Sequence, residues 1–176
     1  MEAQLRMVAE RDALTGLDSR SHFMKRAEAL LQRAQLEKTP FCLFMIDVDH
    51  FKRINDTWGH TRGDLILTKI AEVCEQSLRP TDVIGRFGGE EFVVGLPHTS
   101  PSEAQTIAER LKENVEALPL TDELSELRLS VTIGIAVAHG EDDDLDALIT
   151  RADNMLYEGK REGRNRVVMF GEGMDS

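Results

Sequence analysis

Residues 86–92 read Arg-Phe-Gly-Gly-Glu-Glu-Phe, and apolar, strand-like residues flank this stretch on both sides. A Gly-Gly pair between two β-type segments predicts a β-hairpin, because glycine readily takes the positive φ angles that tight hairpin turns need. The carboxylates of Glu90 and Glu91 then lie where the chain leaves the turn. Since Gly88 and Gly89 carry no side chain, a ligand can approach the backbone there. The stretch therefore suggests a site for a cation and a phosphate.

The whole chain has the composition of an ordinary globular domain. Its 176 residues are 41% hydrophobic and 30% charged, which is enough for one domain with a core. The net charge of −11 argues against binding a nucleic-acid backbone. The longest apolar run, residues 41–46, is too short to span a bilayer, and residues 1–11 lack the apolar centre of a signal peptide. We therefore expect neither nucleic acid nor membrane contact by this fragment.

The two cysteines, Cys42 and Cys74, both lie within apolar patterns. We expect them to be free, buried thiols, since they are too few and too separated for a zinc site. Free thiols fit a cytoplasmic protein, because disulfides are rare in that compartment.

Hydrophobic periodicity predicts an α+β fold with a mainly antiparallel, five-stranded sheet flanked by helices. The continuous apolar run at 41–46 is typical of a strand that is buried on both faces. The run at 127–137 has apolar residues at every second position, which predicts an amphipathic strand, and 166–170 predicts a short closing strand. Helices are predicted at 1–11, 21–36, 60–77 (or from 62), 102–117 and 145–157, with a short loop or helix at 51–56.

Carboxylates follow the buried strand at Asp47 and Asp49. A carboxylate there is costly unless it is paired or binds a cation, although a turn or cap role explains either residue taken alone. If the strand and the hairpin are neighbours, Asp47 converges with Glu90 or Glu91. Oxygen ligands favour Mg²⁺ or Mn²⁺ over zinc, and phosphates and water usually complete such a site.

Three polar residues after Asp49 suggest contacts to a nucleotide. Lys52 is close enough in sequence to reach the same phosphates. Asp64 can accept hydrogen bonds from N1–H and the 2-amino group of guanine, and Asn55 offers both donor and acceptor. Taken alone, however, Asn55 also suits a turn and Asp64 suits the first turn of a helix, and these structural roles outweigh base recognition.

Two further charged stretches can be explained either by a binding role or by an ordinary surface turn. Lys160 and Arg164 belong to a local concentration of basic residues, which suits anionic phosphates but also suits an exposed charged turn. Arg79 and Asp82 flank a proline, which is compatible with a self-paired surface turn.

Six motifs in one order make the chain resemble the GGDEF family of diguanylate cyclases over residues 12–168. They are Asp12–Leu17 (DALTGL), Asp47–Lys52 (DVDHFK), Asn55–His60 (NDTWGH), Gly63-Asp64, Gly88–Phe92 (GGEEF) and the closing pair Ala152–Tyr157 (ADNMLY) and Gly163–Asn165 (GRN). The resemblance implies a palm-like fold, related to ferredoxin-like and nucleotidyl-cyclase domains, with GGEEF on a hairpin. It also implies that two GTP molecules become cyclic di-GMP and two pyrophosphates in bacterial second-messenger signalling.

The resemblance implies a role for each matching residue. It makes Glu90 and Lys52 catalytic, and it gives the metal ligands as Asp47, the Val48 carbonyl, Glu90 and Glu91, with two Mg²⁺ or Mn²⁺ ions per GTP. It makes Arg79, Asp82 and Arg110 the product-inhibition site. The implied substrate-binding residues are Phe51, Lys52, Asn55, Asp64, Gly88, Gly89, Lys160 and Arg164.

The resemblance also implies a homodimer, because one hairpin holds one GTP and the attacking hydroxyl comes from a second copy. We expect residues 1–11 to be a helical linker from a regulatory region, which could anchor the parent protein in a membrane. Residues 12–170 would be the catalytic domain and 171–176 a disordered tail. The alternatives are a catalytically silent module that binds GTP or cyclic di-GMP, and a cyclase that makes a mononucleotide product.

Overall fold

The central strand of the sheet is the apolar run identified in the sequence. In a computed structural model, which describes residues 10–140 and 143–169, this strand extends over Phe41–Val48. The other strands are β2 (Val83–Arg86), β3 (Glu91–Pro97), β4 (Val131–Val137) and β5 (Val167–Met169). The helices are α1 (Arg20–Glu37), α2 (Phe51–Trp58), α3 (His60–Gln76), α4 (Pro101–Glu116) and α5 (Leu145–Arg161), with a 3₁₀ turn at Asp122–Leu124.

The five strands lie in the order β2-β3-β1-β4-β5. Central strand β1 pairs antiparallel with β3 and with β4, and β2 pairs antiparallel with β3. Only β4 and β5 run parallel within the described part of the chain. The predicted class, an α+β fold with a mainly antiparallel sheet of five strands, is confirmed. Most of the predicted linker helix (1–11) and the predicted tail (171–176) lie outside the described residues.

Helices cover both faces of the sheet, so all eight residues of β1 are buried. One face packs against α2, α3 and α4, which supply one apolar cluster together with alternate strand residues such as Phe44 and Ile46. The other face packs against α1 and α5, where Leu43 and Met45 lie in a second cluster. Side chains of a strand alternate between faces, so a continuous apolar run is what two covered faces require. Both cysteines are buried and free, as expected.

The prediction of an amphipathic strand at 127–137 was wrong in two respects. Strand β4 begins at Val131, and its second face is buried instead of facing solvent. That second face carries small residues, including Gly134 and Ala136, because the backbone of α5 lies against it. A Cβ added at Gly134 would lie 2.1 Å from the carbonyl oxygen of Ala152 and 2.4 Å from the amide nitrogen of Leu156. The small residues of β4 therefore mark a close contact with a helix. In the sequence, their alternation with large apolar residues resembles a strand that has one face in solvent.

Two boundaries differ from prediction near the site. The segment 51–56, predicted as a short loop or helix, is helical, and its helix α2 continues to Trp58. The last helix continues four residues past its predicted end at Tyr157, so Lys160 lies in the final helical turn and not in an exposed charged turn. Basic residues interact favourably with the negative end of the helix dipole, which supports this longer helix.

The hairpin forms as predicted, but its glycines have a different purpose. Residues 87–90 join β2 to β3, and neither Gly88 nor Gly89 has a positive φ angle. The expectation that these glycines supply positive φ was therefore wrong. Space explains Gly88, because a Cβ there would lie 2.6 Å from Oε1 of Glu91. A Cβ at Gly89 would meet nothing within 4 Å, so the tip of the turn is open.

No helix among the described residues is both long and apolar enough to cross a membrane.

Candidate active site

A cavity of about 430 Å³ lies where β1 ends and the hairpin turns. Strand β1 and the hairpin are neighbours there, since the Val48 amide donates to the Glu90 carbonyl at 3.2 Å. The cavity brings together residues that are far apart in the sequence. Of the candidates named from the sequence, those that line it are Asp47, Val48, Asp49, Phe51, Lys52, Glu90, Lys160 and Arg164.

Asp47 is the buried anion of this cavity, with 5% of its surface exposed. It lies opposite Glu91 of β3 in the sheet register, and Nζ of Lys160 is 2.5 Å from its Oδ2. Burial raises the pKa of the Asp47 carboxyl, and the contact with Lys160 opposes that rise. A buried carboxylate with a raised pKa gains free energy from a nearby cation, so the site favours cation binding.

The two hairpin carboxyls also have raised pKa values. Burial raises the pKa of Glu90, and the negative charge of Asp47 raises it further. Burial and Asp47 act on the pKa of Glu91 in the same direction, with an added contribution from Asp153 of α5. Asp47 therefore repels both hairpin carboxyls at one end of the sheet, and a cation bound there would relieve this repulsion.

The donor atoms fit a magnesium site that the substrate completes. Asp47 and Glu90 supply carboxylates, and Val48, the residue after Asp47, also lines the cavity. The described residues contain no cluster of three His, Cys, Asp or Glu side chains arranged to hold a metal. Mg²⁺ is usually held by one or two carboxylates, with water and substrate phosphates as the other ligands, so the available set suits it.

Basic residues also line the cavity, which lies beside the start of α2. Lys52 is exposed on α2, and the side chain of Arg164 reaches the cavity from the loop after α5. The Phe51 side chain, by contrast, is only 7% exposed and packs in the core, so only its backbone can contact a phosphate. His50 precedes α2 with a left-handed φ of 55° and makes no capping bond through its side chain. The first amides of α2 are thus available to an anion.

Asn55 of α2 and Asp64 of α3 do not line this cavity. Gly63 packs so closely on Asn55 that an added Cβ would lie 1.9 Å from its Oδ1. That oxygen is buried and has no hydrogen-bond partner among the described residues. The carboxylate of the next residue, Asp64, is exposed. A buried acceptor without a partner is unfavourable, so it marks a position where a ligand donor would be stabilised.

Asp49 has a structural role that the sequence did not reveal. We grouped it with Asp47, but its oxygens already accept hydrogen bonds from the hydroxyls of Ser130 and Thr132 and from the Asn165 amide. The partners are Ser130 just before β4, Thr132 within β4 and Asn165 in the loop after α5, all distant in sequence. Of the two, only Asp47 faces a cation in the structure, the ammonium group of Lys160.

The hairpin is also tied to the N-terminal turn of the described chain. The guanidinium of Arg86 contacts Asp12 at 3.3 Å and donates to the Gly89 carbonyl at 2.7 Å. Arg20, the first residue of α1, lies over the ring of Phe87 at 3.9 Å. Sequence reasoning missed these contacts, because the arginine before GGEEF carries no signal of its partner.

Arg79 and Asp82 lie at a separate cavity of about 340 Å³. They form a two-pronged ion pair, with Nη2–Oδ1 at 2.8 Å and Nε–Oδ2 at 3.1 Å. Hydrogen bonding to Asp82 raises the pKa of Arg79. Arg110 does not line this cavity, and it donates instead to the Ser77 carbonyl at the end of α3 at 2.8 Å. The structure thus brings Arg79 and Asp82 together but leaves Arg110 outside their cavity.

Comparison with known proteins finds relatives over most of the chain. A family model described as "Diguanylate cyclase, GGDEF domain" matches residues 9–166. The chain is 40% identical over 164 residues to the Escherichia coli protein named "Probable diguanylate cyclase DgcT". It is 41% identical over 163 residues to the response regulator PleD of Caulobacter vibrioides. Each match covers 92% of this chain but only 36% of the relative, so the chain spans little more than a third of their length.

A solved structure has the same architecture. The GGDEF domain of DgcB from Caulobacter crescentus, determined in complex with c-di-GMP, matches with a TM-score of 0.86 at 33% identity. The match covers 92% of this chain and 93% of that one.

Proposed function

The chain belongs to the GGDEF-domain family of diguanylate cyclases, and on that premise we propose that it condenses two GTP molecules into cyclic di-GMP and two pyrophosphates. The observation that carries the proposal is the cavity at the end of β1. It combines the carboxylates of Asp47 and Glu90 with the cations Lys52, Lys160 and Arg164. Phosphoryl-type transfer needs alignment and charge neutralisation more than covalent help, and this arrangement offers both.

In each transfer, a 3′-hydroxyl oxygen forms a bond to an α-phosphorus while the bond to the pyrophosphate oxygen breaks. Mg²⁺ or Mn²⁺, which we propose as two ions per GTP, would lower the pKa of the hydroxyl and stabilise the leaving pyrophosphate. Asp47, Glu90 and the Val48 carbonyl would hold these ions, with Glu91 at the second. The contact from Lys160 lowers the pKa of Asp47 against the effect of burial, which favours the ionised ligand.

The cationic residues would neutralise the triphosphate. Lys52 stands at the first turn of α2, where the helix dipole adds positive potential, and it would offset charge that develops during transfer. The tip of the hairpin is open at Gly89, so the nucleotide would lie against the backbone of Gly88 and Gly89 there. Asn55 and Asp64 would bind guanine, with Asp64 accepting from N1–H and the 2-amino group, which adenine lacks.

One cavity binds one GTP in this proposal, so two copies of the domain must face each other for the reaction. The product would also inhibit the enzyme by binding at Arg79 and Asp82, with Arg110 as a further contact if the end of α3 moves. The domain would comprise residues 12–170 and work in the cytoplasm, where GTP is available and thiols such as Cys42 stay reduced.

The deciding experiment is turnover of GTP with Mg²⁺ by concentrated protein, followed by chromatographic identification of the product. Cyclic di-GMP with two equivalents of pyrophosphate is the expected result. Bound GTP without any product would instead support a silent binding module, and a cyclic mononucleotide would support the other cyclase class. Omission of the divalent cation is the control and should stop turnover.

A further inference from the structure

Asp49 is a buried carboxylate that the proposed reaction does not use. It is 7% exposed and lies at the wall of the cavity, directly after β1. Its Oδ1 accepts the Thr132 hydroxyl at 2.6 Å, and its Oδ2 accepts the Ser130 hydroxyl at 2.6 Å and the Asn165 amide at 3.0 Å. Both oxygens are therefore engaged with groups of the protein itself. An anion held by several donors is a strong anchor, because charge-assisted hydrogen bonds are stronger than neutral ones.

The anchored segment is the turn 162–166, which joins α5 to β5. Its backbone has an uncommon conformation, since Arg164 and Asn165 have left-handed φ angles of 67° and 49° and follow Gly163 at 122°. Consecutive left-handed residues other than glycine persist only where surrounding contacts determine them. The Asn165 amide also donates to Oγ1 of Thr132 at 3.1 Å, and the Arg164 amide donates to the Gly159 carbonyl at 2.9 Å.

The position of Arg164 follows from this anchor. Its backbone is held on one side by the end of α5 and on the other by the Asn165 contact to Asp49. Its side chain then reaches the same cavity as Lys52 and Lys160. A guanidinium must be oriented to make a forked contact to a phosphate, so a mobile turn would weaken the contact even with Arg164 present.

We propose that Asp49 is a positioning residue, which locks the turn 162–166 so that Arg164 points at the triphosphate. Asp49 acts through the loop and touches neither the cation nor the nucleotide. The first half of the proposal, locking of the turn, concerns the protein alone. The second half, contact of Arg164 with phosphate, rests on the proposed function, and the two halves are tested separately.

Hydrogen exchange tests the locking of the turn without any nucleotide. Asp49→Asn keeps the shape but replaces an acceptor oxygen with a donor group, and Ser130→Ala removes one of the three donors with less risk to folding. Both should raise amide exchange in a peptide covering 162–166, with Asp49→Asn having the larger effect. Asp56→Asn is the matched control, because Asp56 is an exposed acid at the same cavity and makes none of these bonds. It should leave the exchange of 162–166 unchanged.

Nucleotide affinity tests the second half through a double-mutant cycle with Arg164→Ala. The probe is 3′-deoxy-GTP, which keeps the triphosphate but lacks the attacking hydroxyl. Asp49→Asn should weaken its binding about tenfold, the loss expected for one charge-assisted contact. In the Arg164→Ala background, the same substitution should have no further effect. The affinity for guanosine, which has no phosphate, should be unchanged throughout.

The outcomes separate the explanations. Unchanged exchange at 162–166 in both Asp49→Asn and Ser130→Ala overturns the locking role. Additive losses in the cycle, or an equal loss for guanosine, show that Asp49 supports the fold generally and does not position Arg164. If the parent protein binds no 3′-deoxy-GTP, the proposed function fails, and the exchange experiment still decides whether Asp49 locks the turn.

Discussion

At the scale of single residues, burial and neighbouring charge give similar side chains different tasks. Asp47 and Asp49 are two positions apart, yet one contacts Lys160 at the cavity and the other is fully engaged by Ser130, Thr132 and Asn165. Glu90 is partly buried and close enough to Asp47 for its pKa to rise. Such mutual repulsion among carboxyls is unfavourable in the protein alone and becomes useful when a cation binds.

We predict that Glu90→Gln abolishes cyclic di-GMP formation, with a loss of about a hundredfold or more, because a ligand to the catalytic cation is removed. The same variant should be more stable than the parent at neutral pH. Since burial raises the pKa of Glu90, the folded protein binds more protons than the unfolded one, and stability falls as pH rises through that window.

The stability gain of Glu90→Gln should therefore be present above the raised pKa of Glu90 and vanish below the ordinary pKa of glutamate. Thermal unfolding across the acidic range, together with product assays, measures both effects. Turnover at the parent rate would contradict the ligand role, and a constant stability difference at all pH values would contradict the electrostatic explanation.

A second residue-scale prediction concerns base selection by Asp64. Asp64→Asn replaces one acceptor oxygen with a donor, so it should reduce the preference for 3′-deoxy-GTP over 3′-deoxy-ATP by about tenfold or more. Binding titrations with both nucleotides measure the ratio. Glu72→Gln, an exposed acid further along α3, is the control and should leave the ratio unchanged. An unchanged ratio in Asp64→Asn means that guanine is bound elsewhere.

At the scale of elements, the packing of α5 on β4 places Lys160 and the turn 162–166 at the cavity. We predict that Gly134→Ala destabilises the protein by about 1–3 kcal/mol, because the added methyl group overlaps the backbone of α5 at Ala152 and Leu156. Urea unfolding measures the change. Gly89→Ala is the control for stability, since a Cβ there meets nothing within 4 Å. Equal stability of Gly134→Ala and the parent would show that α5 can shift to accept the methyl group.

The turn between α3 and β2 carries the proposed product site. Arg79→Ala should relieve inhibition by added cyclic di-GMP, but it also leaves the buried Asp82 side chain without its ion pair. We therefore expect a loss of about 1–3 kcal/mol in the free energy of unfolding as well. Arg79→Lys keeps the charge without the forked geometry and should give intermediate inhibition. Inhibition constants for cyclic di-GMP, measured on folded samples of each variant, test this prediction. Unchanged inhibition in Arg79→Ala would contradict the assignment of the product site to Arg79 and Asp82.

At the scale of the whole molecule, the cavity is open and holds one set of carboxylates, which fits one GTP. We predict that turnover per mole of protein rises with protein concentration until the dimer is fully formed. Assays across a concentration series, paired with sedimentation of the same samples, measure this dependence. A constant specific rate in samples that sediment as monomers would contradict catalysis between two copies.

Local patterns predicted most of the helices and strands. Strand β1 is covered on both faces and therefore requires a continuous apolar run, and the Gly-Gly turn is specified by its own residues and the two strands beside it. The same patterns failed where the signal depended on a partner. Small residues on β4 resemble a solvent face unless the backbone of α5 is known to lie against Gly134. The basic residues around Lys160 resemble an exposed turn unless the helix is known to continue through Arg161.

The sequence by itself determined the α+β class, the hairpin with its two glutamates, and the set of carboxylates and cations, because strand periodicity, turn chemistry and motif order are all local properties. Only the tertiary structure decided what each group does. It separated Asp47 from Asp49, turned the Phe51 side chain into the core, left Arg110 outside the cavity of Arg79, and connected Asp49 to the turn that carries Arg164. The role of a charged side chain depends on the atoms within a few ångströms, and in a folded chain those atoms come from distant positions.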